Sequence, residues 1–297
     1  MLRAAQALFA WALLLAPASA LACEHELLIS LYSAGDVARV NACDGTVLGM
    51  LDDGDRLAGT QTLRMGPDGD LYVVSEENHS ILRFDGGTLA FRDVWLSDPR
   101  LDKPTALDFG SDGAAYIGSY GGDRVLRYAN GELEEVFSDP DVDGIDAGMA
   151  FGPDGRLWIP SFDGHSVLAV DVETGTVARR IAMAEQSPRM LLWSGDGASV
   201  LMGAWAGNTL QRLDLDAPEA EPDVLLERAR PSGLAWLPDG RPVTISDVGG
   251  AVYAVDPALG VASAEALADD ERLAAMTYVL LRGAGMATSA TNSGSES

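Results

Sequence analysis

The sequence predicts an all-β fold, a six-bladed β-propeller closed by pairing of its N- and C-terminal strands. Three observations carry this. A turn triplet recurs five times, strand-like runs surround each copy, and two strand remnants are left over at the chain ends. The triplets Pro67-Asp68-Gly69, Ser111-Asp112-Gly113, Pro153-Asp154-Gly155, Gly195-Asp196-Gly197 and Pro238-Asp239-Gly240 follow one another at 44, 42, 42 and 43 residues. A period near 40–45 residues with several short strands per unit lies in the propeller range.

Each unit has the same physical order. An apolar strand such as Met149-Ala150-Phe151 comes first. The Gly-Pro-Asp-Gly turn follows, with proline suited to the first central position and the last glycine free to take positive φ. A second strand, Leu157 to Ser161 in that unit, is rich in β-formers. A polar turn leads to a third strand, Ser166 to Asp171, and Glu173-Thr174-Gly175 to a more polar fourth, Thr176 to Met183. Inner strands are apolar on both faces because blades pack face to face, whereas an outer edge strand can be polar.

Two segments remain. Leu27 to Met50 supplies strands two, three and four of a further blade but no first strand. Leu273 to Arg282 is an unclaimed apolar strand. Joining them completes a sixth blade and hides both open edges. The propeller is thus expected over 23–282, with a small, polar, disordered tail over 283–297.

The first 22 residues carry Arg3, an apolar run from Leu8 to Ala16, and small-x-small signals at Ala18-Ser19-Ala20 and Ala20-Leu21-Ala22. This is a secretory signal peptide, too short and too soon ended by Pro17 to span a bilayer. The expected location is secreted or periplasmic, with no membrane span. Cys23 and Cys43 are the only cysteines. An oxidising compartment favours a disulfide between them. The rival is a lipoprotein acylated at Cys23, although Ala20 stands where such signals carry leucine. The chain carries a formal net charge of −25, and Lys103 is its only lysine. Such acidity repels phosphate backbones, so nucleic acid is not an expected partner, and cations are favoured. The chain is expected to be a monomer whose ligand is a small molecule, a carbohydrate or a protein.

Segments such as KPTALDFGSDGAAYIGSYGGDRVLRY and DAGMAFGPDGRLWIPSFDGHSVLAVD resemble NHL repeats and their relatives, the virginiamycin B lyase-like and SMP-30/gluconolactonase propellers. The resemblance covers Leu27 to about Arg282. It implies that the loops before strand one and after strand two share the ligand face. The repeat register then gives a ring of candidate ligand residues. Those just before strand one are Gln61, Thr105, Ala147, Arg189 and Ser232, with Asp146 adjacent. Those closing strand two are Tyr32, Glu76, Tyr120, Phe162, Trp205 and Asp247. Flat aromatic faces beside carboxylates suit sugars or organic cations.

The resemblance also implies an alternative, a metal-dependent lactonase or a lyase with an atypical channel. PSGLAWLPDG resembles a lactonase segment, with Ser232 in the place of asparagine. The three histidines, His25, His79 and His165, fall beside the cysteines or in hairpin turns, where solvated turn residues are expected. A separate motif, Asp139-Pro-Asp141-Val-Asp143-Gly144-Ile-Asp146, matches the opening of a calcium loop but has Ala150 at the bidentate position. Ca²⁺ or another divalent metal held by Asp139, Asp141, Asp143 and Asp146 is therefore one expectation, and a solvated acidic loop is the other.

Overall fold

The structure is a computed structural model; it describes residues 23–283 apart from 185, 218–220, 228–229 and 257–263. The signal peptide expected over 1–22 and nearly all of the tail expected over 283–297 lie outside the described residues.

Six four-stranded antiparallel sheets make six blades. Blade 1 joins the two ends of the chain. Strand Met276–Gly283 pairs antiparallel with His25–Leu31, which continues to Asp36–Asn41 and Val47–Met50. The inner strands of blades 2 to 6 are Thr60–Met65, Pro104–Phe109, Ala150–Phe151, Pro188–Trp193 and Pro231–Trp236. The expected closing strand is present with shifted bounds. Leu273 lies in a short 3₁₀ turn, Glu271–Leu273, which Asp270 caps through the Arg272 N–H. Its side chain is buried there, so the apolar signal at Leu273 reflects packing rather than pairing.

The middle strands are the most enclosed. Leu71–Ser75, Ala115–Ser119 and Leu157–Ser161 are buried at every position, while outer strands such as Thr176–Ala182 alternate. This is the burial expected of blades stacked face to face with a wet outer edge. Blades 4 and 5 approach closely enough that a Cβ at Gly148 would lie 2.1 Å from the Arg189 carbonyl oxygen. Hydroxyls stitch the inner strands together across other boundaries. Thr277 donates to the Thr60 carbonyl, Thr62 to those of Thr105 and Ala147, and Thr105 to that of Ile145.

Cys23 and Cys43 are bridged. A bridged Cys23 has no thiol left to acylate. The bond spans a sequence separation of 20 and ties the two outer ends of the first hairpin beside the ring seam. Loop-closure entropy for such a span is worth about 3 kcal/mol. Cys43→Ala is expected to lower unfolding stability by about that amount, measured by denaturant titration.

Candidate functional site

One mouth of the central channel is a cavity of about 340 Å³. Nine of the eleven predicted ring residues line it: Tyr32, Gln61, Glu76, Thr105, Tyr120, Phe162, Arg189, Trp205 and Asp247, while Ala147 is fully buried outside it. Asp146 joins them from the acidic loop, Thr277 from the closing strand and Ala275 from the turn just before it. Ser232 does not reach the cavity. It is fully buried, and its hydroxyl donates 2.7 Å to the Met276 carbonyl, so it belongs to the hydroxyl stitching at the boundary of blades 6 and 1. Gln61, Thr105 and Arg189 lie within the inner strands rather than before them, because those strands begin two residues earlier than expected.

The loops that present these side chains are pinned by the residue just before each lining position. Ser75 donates to the Ala58 carbonyl, Ser119 to that of Asp102, and Ser161 to that of Asp143. Each buried serine thereby ties the end of strand two to the loop that leads into the same blade.

The aromatic residues follow an alternation that repeats every second blade. Tyr32 of blade 1 donates 2.6 Å to Glu77 of blade 2. Tyr120 of blade 3 donates to Asp163 of blade 4. Trp205 of blade 5 donates through Nε1, at 2.9 Å, to Asp247 of blade 6. Burial, reinforced by these carboxylates, pushes both phenols well above the ordinary tyrosine range, so both stay neutral donors. Phe162 meets Trp205 edge to face, with ring centroids 5.3 Å apart. The rings are thus held in place rather than free to rotate, which lowers the entropy lost when a ligand packs against them.

Charge in the cavity is unbalanced. Glu76, Asp146 and Asp247 face a single lining cation, Arg189. Arg189 Nε lies 3.2 Å from Asp146 Oδ2, an ion pair across blades 4 and 5 in which both side chains are buried. The N–H is not directed into a hydrogen bond, so the contact is ionic. Gln61 Nε2 donates 2.6 Å to Glu76. A second guanidinium, that of Arg230, stands at the rim. It lies 4.4 Å from the centroid of the Trp205 ring and 3.9 Å from Asp247 Oδ2. An aromatic face next to a carboxylate is already holding a planar organic cation that belongs to the protein itself.

Burial raises the Glu76 carboxyl above its ordinary value, and the charges of Asp146 and Glu77 add to this while the Gln61 bond opposes it. The folded state therefore binds this proton more tightly than the unfolded chain. Between the ordinary glutamate value and the raised one, stability contributed by this group falls as pH rises. Glu76→Gln is expected to be more stable than wild type at pH 7 and to lose that advantage at pH 4, as read from unfolding free energies at both pH values.

The four carboxylates of the acidic loop do not converge. Asp139 accepts from the Asp141 N–H and from Arg180, Asp141 and Asp143 are exposed, and Asp146 lines the channel mouth and pairs with Arg189. Among the described residues no group of three or more His, Cys, Asp or Glu side chains is gathered to hold a metal ion. The histidines are not simply solvated. His79 Nδ1 lies 2.9 Å from the Leu101 carbonyl and His165 Nδ1 lies 3.3 Å from Ser187 Oγ, so each braces the following blade's loop.

Comparison with solved structures decides the fold. A virginiamycin B lyase from Staphylococcus aureus, a catalytically inactive form with quinupristin, superposes with a TM-score of 0.58 at 15% identity, over 78% of this chain and 81% of that one. A chain of the nidogen/laminin complex gives 0.73 at 13% identity, over 88% and 99%. The protein has the fold of the NHL and virginiamycin B lyase-like propellers. A protein of unknown function from Bacteroides caccae matches at 0.67 with 11% identity, over 87% and 99%. No known family profile and no curated protein matches the sequence. Among the described residues no helix of this propeller is long and apolar enough to cross a membrane.

Sequence reasoning missed three parts of the mouth. Thr277 and Ala275 lay in and just before the closing strand, whose register no repeat fixed. Glu77 and Asp163 follow two ring positions directly, and their acidity one residue after the second strand was the available signal. Arg230 lies in a loop of irregular length between blades 5 and 6.

Proposed function

We propose that this is a secreted or periplasmic binding propeller whose channel mouth takes a small organic cation. The signal peptide and the disulfide support the compartment. The observation that carries the ligand class is the Arg230 guanidinium resting on Trp205 beside Asp247. The same aromatic and acidic chemistry lines the cavity below it, and three carboxylates there face one guanidinium. A quaternary or guanidinium ligand gains cation–π attraction and a carboxylate partner without needing a metal. Rings locked by interblade hydrogen bonds suit recognition more than chemistry.

Arg230 is then an internal competitor. Arg230→Ala is expected to tighten the binding of choline by about three- to tenfold, in line with the worth of a partly exposed cation–π contact. Calorimetric titration of both proteins checks this, and weaker binding in the variant would overturn the competitor role.

The second reading, a lactonase or lyase, draws on Glu76, a buried carboxyl whose raised proton affinity is the usual tuning of a general acid. Steady turnover of a lactone, lost in Glu76→Gln, would establish it in place of the binding role.

A further inference from the structure

The opposite end of the axis holds a second cavity, of about 320 Å³, that shares no lining residue with the mouth. Neighbours in one strand divide between them. Thr277 lines the mouth and Tyr278 the second cavity; Arg189 and Met190 divide in the same way. Leu63 is fully buried along an inner strand between the two ends. The walls of the second cavity are mostly apolar and aromatic, with Phe151, Trp193, Trp236 and Leu280 among them.

Three polar features interrupt that wall, and they differ in kind: the Arg64–Asp108 pair, the Tyr278 hydroxyl and the buried, unpartnered Trp193 indole N–H. Arg64 Nε lies 3.2 Å from Asp108 Oδ1 and donates 3.3 Å to the Leu107 carbonyl. Asp108 Oδ2 accepts from the Phe151 N–H at 2.8 Å. This pair is internally neutral and supplied with partners. Tyr278 is not. Its residue is only 4% exposed, and its hydroxyl, on the cavity wall, has no hydrogen-bond partner among the described residues. Burial holds the phenol above the ordinary tyrosine range, so the oxygen keeps its proton. A hydroxyl that no protein group accepts, on the wall of an open cavity, is free to donate to a ligand, whereas the Trp193 indole N–H on the same wall is buried without a partner among the described residues.

We propose that this cavity is a second ligand site, for an uncharged apolar molecule of one or two rings whose carbonyl oxygen accepts the Tyr278 hydroxyl proton. Its volume is at the small end of ligand pockets. The choice of an uncharged ligand follows from the Arg64–Asp108 pair. Each charge is spent on the other, so nothing offsets the desolvation of an ionised ligand in an apolar wall. The choice of an acceptor follows from Tyr278, whose hydroxyl faces the cavity without a protein partner, while the other unpartnered donor on the wall, the Trp193 N–H, is itself buried.

Three probes of similar ring size separate these claims: acetophenone, toluene and benzoate, titrated by ligand-observed NMR against the mature protein. Acetophenone is expected to bind five- to tenfold more tightly than toluene, the worth of one hydrogen bond, and benzoate more weakly than either. Tyr278→Phe should erase the preference for acetophenone and leave toluene affinity within twofold. Because that hydroxyl has no protein partner, Tyr278→Phe should melt no lower than wild type, which keeps the variant interpretable. Absence of saturable acetophenone binding, equal affinity for acetophenone and toluene, or a preference that survives Tyr278→Phe would overturn the proposal. So would loss of binding in Trp205→Ala, which would move the ligand to the mouth. Binding that appears only when the chain is ended at Gly283 would instead make residues 284–297 the occupant and also overturn it.

Discussion

Asp146→Ala is expected to destabilise the propeller by about 3–5 kcal/mol, the usual consequence of stranding one member of a buried ion pair. Arg189 would keep its charge in a site where it is only 8% exposed, with no other carboxylate of the described residues in ion-pair range. Arg189→Met removes the other member and should cost a similar amount or less, since Asp146 retains the Ala147 N–H. The double variant is the informative one. If the pair is held together by mutual compensation rather than by net attraction, Asp146→Ala with Arg189→Met should recover most of the loss. Denaturant unfolding of all four proteins gives the coupling energy directly. Full additivity of the two losses would show that the contact carries no coupling. The position makes the pair informative, since blades 4 and 5 meet here without the inner-strand hydroxyl links seen at other boundaries.

The second large effect concerns Trp205. Its ring is the face under Arg230, the edge partner of Phe162 and the donor to Asp247. A central tryptophan with this many partners is the kind of residue on which binding energy concentrates. Trp205→Ala should weaken binding of an organic cation by about 2 kcal/mol or more, roughly thirtyfold. The six blades should remain, because Trp205 lies in the loop after strand Ser199–Ala204 and takes no part in sheet pairing. Circular dichroism and a melt confirm the fold while titration reads the affinity. A variant that binds as wild type would place the ligand elsewhere.

The ring was legible in the sequence because each blade repeats the same offsets. The residue after strand two could be named in all six blades before any strand was placed. Even the closure could be inferred, since Leu27 to Met50 lacked a first strand and an apolar run near the C-terminus lacked a blade. What could not be seen were relations between residues one blade apart. Tyr32 and Glu77 are separated by 45 positions, and aligning the blades stacks such residues in different columns. Ser232 misled for a related reason. A small hydroxyl residue at a ring position serves equally as a ligand contact or as a stitch to the next strand's carbonyl, and only the distance to Met276 decides. The acidic loop shows the limit of motif spacing. Alternating aspartates suggest convergence on a cation, but Asp139 is engaged by an Asx turn and, with Asp141, by Arg180, while Asp146 pairs with Arg189.

The central claim is that the mouth selects positive charge on an organic ligand. The most direct measurement is calorimetric titration of the mature protein with choline and with 3,3-dimethylbutan-1-ol, which keeps the shape and replaces the ammonium nitrogen by carbon. The account predicts saturable choline binding at least tenfold tighter than that of the alcohol, weakened as salt is raised. Equal affinities, or tighter binding of the uncharged alcohol, would contradict it.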